Sequence, residues 1–126
     1  MLKRKQVQRL KSNIGGSVLT PDDAMFHTTG LVSAKSRNEQ VLHTAQIVVR
    51  PYDTEDVVAA LRFAQEVKIG VAAIGGGGHP SKLVAVDDGL LLDMSTLKSI
   101  QVNPIDQLAI TQTGVTWREF EQGDRK

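Results

Sequence analysis

Four consecutive glycines, Gly75 to Gly78, followed by His79 and Pro80, stand directly after a short apolar run, and this junction constrains the fold more than any other part of the chain. A residue without a side chain lets another group touch the backbone, and it adopts positive φ as readily as negative. Successive N–H groups in such a segment converge into a concave nest suited to phosphate. Each glycine also loses backbone entropy on folding, so four in a row exceed what a tight turn requires. A turn in which glycine serves geometry alone remains the structural alternative.

The residues on either side define what the glycines connect. Gln46-Ile47-Val48-Val49-Arg50 is a β-branched run ended by Pro51, the signature of a strand. Asp53 and Thr54 offer an N-cap, with Glu55 and Asp56 where a helix dipole favours negative charge. Val57, Val58, Leu61, Ala64 and Val67 recur at helical spacing, which predicts a helix from Glu55 to Lys68 closed by Gly70. Val71 to Ile74 is a second strand, too short for a helix. Strand, helix, strand predicts a βαβ unit, with two parallel strands joined by a right-handed crossover. Beyond the glycines, Leu90 to Asp93, Ser99 to Val102 and Gln107 to Gln112 read as strands, and Asn103-Pro104-Ile105-Asp106 turns the last two into an antiparallel hairpin. Thr116 and Glu119 form a capping box for a further helix. Trp117, one residue inside it, is expected to pack on the helix of the βαβ unit; lining a site is its other reading. Seven residues follow Glu119, so that helix reads as cut short.

Ahead of this unit, Lys3 to Lys11 reads as a short helix with Val7, Leu10 and Ile14 on its inner face, stopped by Gly15 and Gly16. Val18 to Asp23 reads as a turn or the start of one helical turn, and Gly30 to Gln40 as a loop. The chain therefore divides into an N-terminal extension over residues 1–44 and a partial domain over residues 45–126. The fold class is α+β.

Composition removes several functions. The 126 residues suffice for one core. With 15 basic against 14 acidic residues there is no field for nucleic acid, and no nucleic-acid partner is expected. The absence of cysteine excludes disulfides, thiolate metal sites and a cysteine nucleophile. No metal-ligand spacing, carboxylate pair or serine–histidine arrangement stands out, so no catalytic residue and no metal site are assigned. His27 and His43 receive no role. No apolar run approaches the roughly 18 residues of a membrane span. The acid-free start, with Lys3, Arg4, Lys5, Arg9 and Lys11, lacks the apolar stretch of a secretory signal; it reads as a solvated helix, with an organelle transit peptide as the alternative, and a cytoplasmic location is expected.

Two phosphate motifs fail on spacing. From Gly75, the Gly-Lys-Ser/Thr of a P-loop falls on Pro80-Ser81-Lys82, and the last glycine of GxGxxG falls on Pro80.

In order, Ile47-Val48-Val49-Arg50-Pro51, Glu55-Asp56-Val57, Gly76-Gly77-Gly78-His79, Leu92-Asp93-Met94-Ser95 and Thr113-Gly114-Val115-Thr116-Trp117 together resemble the flavin-binding domain of the FAD-linked oxidases of the vanillyl-alcohol oxidase and berberine-bridge-enzyme type, the PCMH-type fold. The resemblance covers about residues 45 to 120 and implies the first subdomain of such a domain: a βαβ unit, then a glycine-rich loop, then a hairpin. It implies FAD as cofactor, with Gly75, Gly76, Gly77, Gly78, His79 and Pro80 around its pyrophosphate, and His79 as candidate for a covalent link to the flavin 8α carbon. Two positions depart from the family: Gly75 stands where an arginine is usual, and Pro80, without an N–H, where serine or asparagine is usual. The implied reaction is two-electron oxidation of an organic substrate, and the implied partner is a second chain or a missing C-terminal half that completes the flavin site. Two other readings stand beside it. One is a cofactor-free remnant of the fold acting as an interaction or regulatory module. The other is phosphate or nucleotide binding unrelated to flavin, assisted by Lys82.

Overall fold

Ile47-Val48-Val49 and Leu90-Leu91-Leu92 carry no polar side chain on either face, and strands of that kind are covered on both sides. In the computed structural model, which describes residues 2–23, 26, 45–75 and 88–124, these two runs lie side by side at the centre of a four-stranded sheet. Among the described residues the elements run α1 (Arg4–Asn13), β1 (Ser17–Leu19), β2 (Ile47–Arg50), α2 (Thr54–Val67), β3 (Val71–Ile74), β4 (Leu90–Asp93), β5 (Ile100–Asn103), β6 (Leu108–Thr111) and α3 (Trp117–Asp124). The class is α+β, as expected.

The sheet order is β1-β2-β4-β3. β2, β4 and β3 run parallel, with Val48 beside Leu91 and Ala72 beside Leu91 in register. The strands of the βαβ unit are therefore parallel but not neighbours: β4 lies between them. The reason is burial. Leu90, Leu91 and Leu92 are all buried, whereas Val71 of β3 is exposed at the sheet margin, and the strand with the larger apolar side chains takes the interior place. Pleating divides the side chains between two clusters. Ile47, Val49, Leu90 and Leu92 meet Leu10 and Ile14 of the N-terminal segment and Ala60, Phe63 and Ala64 of α2. Val48, Leu91 and Ile74 form the second cluster on the opposite face with Phe26 and Ala45.

Several local expectations need correction. Val18 and Leu19, expected to begin a turn, instead lie with Ser17 in an edge strand, β1, antiparallel to β2. It pairs there because Gly16 lets the arm pass against β2: a Cβ on Gly16 would run into the Arg50 carbonyl oxygen. Helix α2 is not closed by Gly70. Lys68 takes the left-handed conformation, φ 60°, and sends its N–H to Ala64 O. Gly70 opens β3 instead, its carbonyl accepting the Leu90 N–H at 2.9 Å. Trp117 does not pack on α2. Helix α3 lies against β5, and Trp117 is 84% exposed and meets Phe120 edge-on. The loop expected at Gly30 to Gln40 lies outside the described residues.

The hairpin forms as expected. Ile100 pairs with Thr111 and Asn103 with Leu108. Asn103 Oδ1 accepts the Ile105 and Asp106 N–H groups, and Gln107 takes φ 56° to complete the turn. Both strands expose most of their side chains, and Ile105, Leu108 and Ile110 are open to solvent.

The N-terminal arm is tied to α2 by the exposed Arg9–Glu66 ion pair and, in the interior, by Asp56. Asp56 is 5% exposed. Its Oδ1 accepts the Gly15 N–H at 2.9 Å, and its Oδ2 accepts those of Gly16 and Tyr52, each at 2.8 Å. Burial opposes its ionisation, but the Gly15, Tyr52 and Gly16 donors outweigh it and hold the carboxyl below the usual range. Asp53, as expected, caps α2 by accepting the Asp56 N–H at 3.0 Å.

Replacing Asp56 by alanine strands three N–H groups and is expected to lower stability by about 2–4 kcal/mol in urea unfolding at neutral pH. Because the folded pKa is depressed, the difference between wild type and variant is full above the unfolded value of about 3.9 and closes as pH falls through the folded one. Lys68→Gly removes the left-handed penalty and is expected to raise the unfolding free energy by about 0.5–1 kcal/mol in the same assay.

Candidate functional site

Open sheets of parallel strands bind ligands beyond the carboxyl ends of those strands. Here that edge carries Arg50 from β2, Asp93 from β4, and Gly75 following Ile74 of β3. Parallel register brings these ends to one level, since Val49 stands beside Leu92 and Ile74 beside Asp93. Arg50 and Asp93 follow Val48 and Leu91 by two residues and so point to the same face. Their side chains meet there: Arg50 Nε donates to Asp93 Oδ2 at 3.1 Å. Asp93 Oδ1 accepts the Ser95 N–H at 3.1 Å. The Asp93 side chain is 4% exposed and that of Arg50 29%.

Gly75 has a close neighbour. A Cβ built on it would lie 2.6 Å from the Thr113 carbonyl oxygen, well inside contact distance, so only glycine fits. The Thr113 segment is fixed in turn: the Gly114 N–H donates to Leu97 O at 2.9 Å, and the Leu97 N–H to Met94 O at 3.0 Å. A Cβ on Gly114 would collide with the Met94 and Leu97 carbonyl oxygens. The Met94 N–H donates to Ile74 O at 2.8 Å, which closes the circuit to β3. Three of the sequence segments, at residues 74–75, 93–97 and 112–114, thus form one backbone-bonded frame at the mouth of the glycine run.

The next helix is anchored to that frame. Glu119 Oε1 accepts the Thr116 N–H at 3.0 Å, and the Glu119 N–H donates to Thr116 Oγ1 at 3.2 Å, the predicted capping box. Lys98 Nζ donates to Glu119 Oε2 at 2.9 Å. The Lys98 ammonium and the Thr116 donors hold the Glu119 carboxyl down at about 2.

Of the predicted site residues, Gly75 is placed at the end of β3. Gly76, Gly77, Gly78, His79 and Pro80 lie outside the described residues, as does Lys82. Sequence reasoning assigned no role to Arg50, Asp93 or Thr113. The first two carried a signal: each is the single charged residue ending an otherwise apolar strand. Thr113 carried none, because its carbonyl acts through the backbone. Among the described residues no group of His, Asp and Glu side chains could hold a metal ion, and no helix is long and apolar enough to cross a membrane.

A family model described as an FAD binding domain matches residues 45–123. An FAD-linked oxidoreductase of Dictyostelium discoideum is 33% identical over 92 residues, which is 73% of this chain and 20% of that protein. A D-lactate dehydrogenase of Archaeoglobus fulgidus is 33% identical over 76 residues, covering 60% of this chain and 17% of that protein. The chain thus spans about a fifth of the length of the curated relatives it matches. Among solved structures, 6-hydroxy-D-nicotine oxidase from Arthrobacter nicotinovorans superposes with a TM-score of 0.71 at 23% identity, over 87% of this chain and 23% of that one. An alkyldihydroxyacetonephosphate synthase superposes with a TM-score of 0.77 at 18% identity, over 99% of this chain and 25% of that one. At these identities the structural likeness establishes the fold.

The close approach at Gly75 has a direct check. Gly75→Ala forces the Thr113 backbone away from β3 and is expected to cost about 1–3 kcal/mol, read as a lower thermal midpoint.

Proposed function

Because the chain belongs to the FAD-binding domain family of FAD-linked oxidoreductases, whose cofactor is FAD, we propose that the segment from Gly75 to Pro80 holds the FAD diphosphate at the carboxyl edge of β2, β4 and β3. The observation that carries this reading is Gly75, which has room for no side chain and begins a run of four glycines at the strand end where such sheets take their ligands. The fit to an anion is supported by the neighbouring charges. Asp93 presents no bare carboxylate, being covered and spent on Arg50 and the Ser95 N–H. The nest itself needs no lysine, since converging N–H groups serve the phosphate.

In this reading residues 45–126 are the partial FAD-binding domain, and residues 1–44 the extension that adds α1 and β1 to its sheet and core. The glycine backbone binds and orients, and His79 is the candidate for the covalent link. Bound FAD supplies the redox chemistry by accepting a hydride from an organic substrate. Further polypeptide, in a second chain or in continuation of this one, completes the flavin site. The length of the relatives supports this, as do the apolar side chains of Ile105, Leu108, Ile110 and Trp117 left open on the hairpin and α3.

Titration of FAD into the purified protein is expected to quench flavin fluorescence saturably. A folded protein that leaves the fluorescence unchanged overturns the reading in favour of a cofactor-free module. Yellow colour that stays with acid-precipitated wild type and is lost in His79→Ala assigns the covalent link.

A further inference from the structure

Arg50 is an unusual ending for β2. Ile47, Val48 and Val49 are fully buried, and the next residue places a cation at the sheet edge. Its placement is determined by Asp93, whose carboxylate is almost fully covered and accepts from Arg50 Nε. That bond draws the guanidinium off β2 and over β4. Adjacent strands are about 4.8 Å apart, so a group above β4 is one strand spacing from β3 and the Gly75 that follows it. Only Nε is used in this contact. Among the described residues the two terminal amino groups of Arg50 meet no acceptor, and the side chain remains partly open to solvent. A guanidinium held by one edge offers a rigid two-pronged donor on the other, the geometry that matches a phosphoryl group.

We propose that Arg50 is a further ligand of the diphosphate, with its outer guanidinium edge on a phosphoryl oxygen, and that Asp93 is the positioning residue that aims it. This rests on the function proposed above. It also gives the site a cation at a place the glycine run does not supply, since Gly75 itself has no side chain. Asp93 balances the charge of Arg50, so the contribution is a directed hydrogen-bonded contact more than a long-range attraction.

Arg50→Gln and Arg50→Lys, made in the full chain, test the assignment with FAD, ADP and riboflavin as probes, and thermal midpoints recorded alongside. Lysine keeps the charge and the reach to Asp93 but lacks the second edge, so it provides a folded variant if glutamine does not. Both substitutions are expected to weaken FAD and ADP by about tenfold while leaving riboflavin, which has no diphosphate, at its wild-type affinity. A lower midpoint with unchanged FAD and ADP affinities means that Arg50 only satisfies Asp93, and overturns the proposal alone. So does an equal loss for riboflavin. Wild type that binds neither FAD nor ADP overturns the underlying reading as well, so the two failures are distinguishable.

Discussion

The fold hangs on a single carboxylate that accepts from three backbone N–H groups. Asp56 lies in the first turn of α2, yet two of its three donors belong to Gly15 and Gly16, some forty residues earlier. Besides that contact the arm carrying α1 and β1 is held by three strand pairs to β2 and by the packing of Leu10 and Ile14. With it, α1 is positioned so that Leu10 and Ile14 complete the cluster over Ile47 and Val49. A buried charge is tolerated only when its hydrogen-bonding capacity is met, and Asp56 meets this condition with backbone donors. The glycine pair that stops α1 therefore has a second role: it lets the chain come close enough for the donors to converge.

Much of this architecture was legible because it is local. The β-branched run before Pro51, the Asp53 cap, the helical spacing from Val57 to Val67, the Asn103–Asp106 turn and the Thr116–Glu119 box each encode their structure within a few residues. What was not legible depends on partners far apart in sequence. The place of β4 between β2 and β3 follows from a comparison of burial that no single segment contains. Asp56 reads as an ordinary helix-dipole residue until Gly15 and Gly16 are brought to it. Gly70 looks like a cap by type, but the ladder to Leu90 claims it, and Lys68 bears the left-handed turn instead. Trp117 looks like core by size, but α3 lies on the hairpin and leaves it open.

The candidate site shows the same division. The glycine run announces itself, and its first residue stands where a ligand-binding edge would need it. The frame around that residue is made of carbonyl and N–H groups of Ile74, Met94, Leu97, Thr113 and Gly114, whose side chains give no sign of it. Arg50 and Asp93 are visible as charges at strand ends, but their pairing requires the parallel register that sets β2 beside β4. Family membership and the site geometry thus come from different parts of the same segments: the first from residue types in order, the second from backbone that any residue type could supply.

The hairpin has a consequence of another kind. Between Ser99 and Gln112 the only charged residue is Asp106, at the turn, and among the described residues β5 and β6 pair with nothing but each other. Their outer edges carry the unused N–H and C=O groups that recruit further strands, with no lysine or bulge to repel them. An exposed apolar ribbon of this kind gains more from a neighbouring strand or surface than the well-covered core does. Such an uncovered edge is where a neighbouring chain can add a strand, so the same feature that suits the ribbon to a partner also exposes it to self-association.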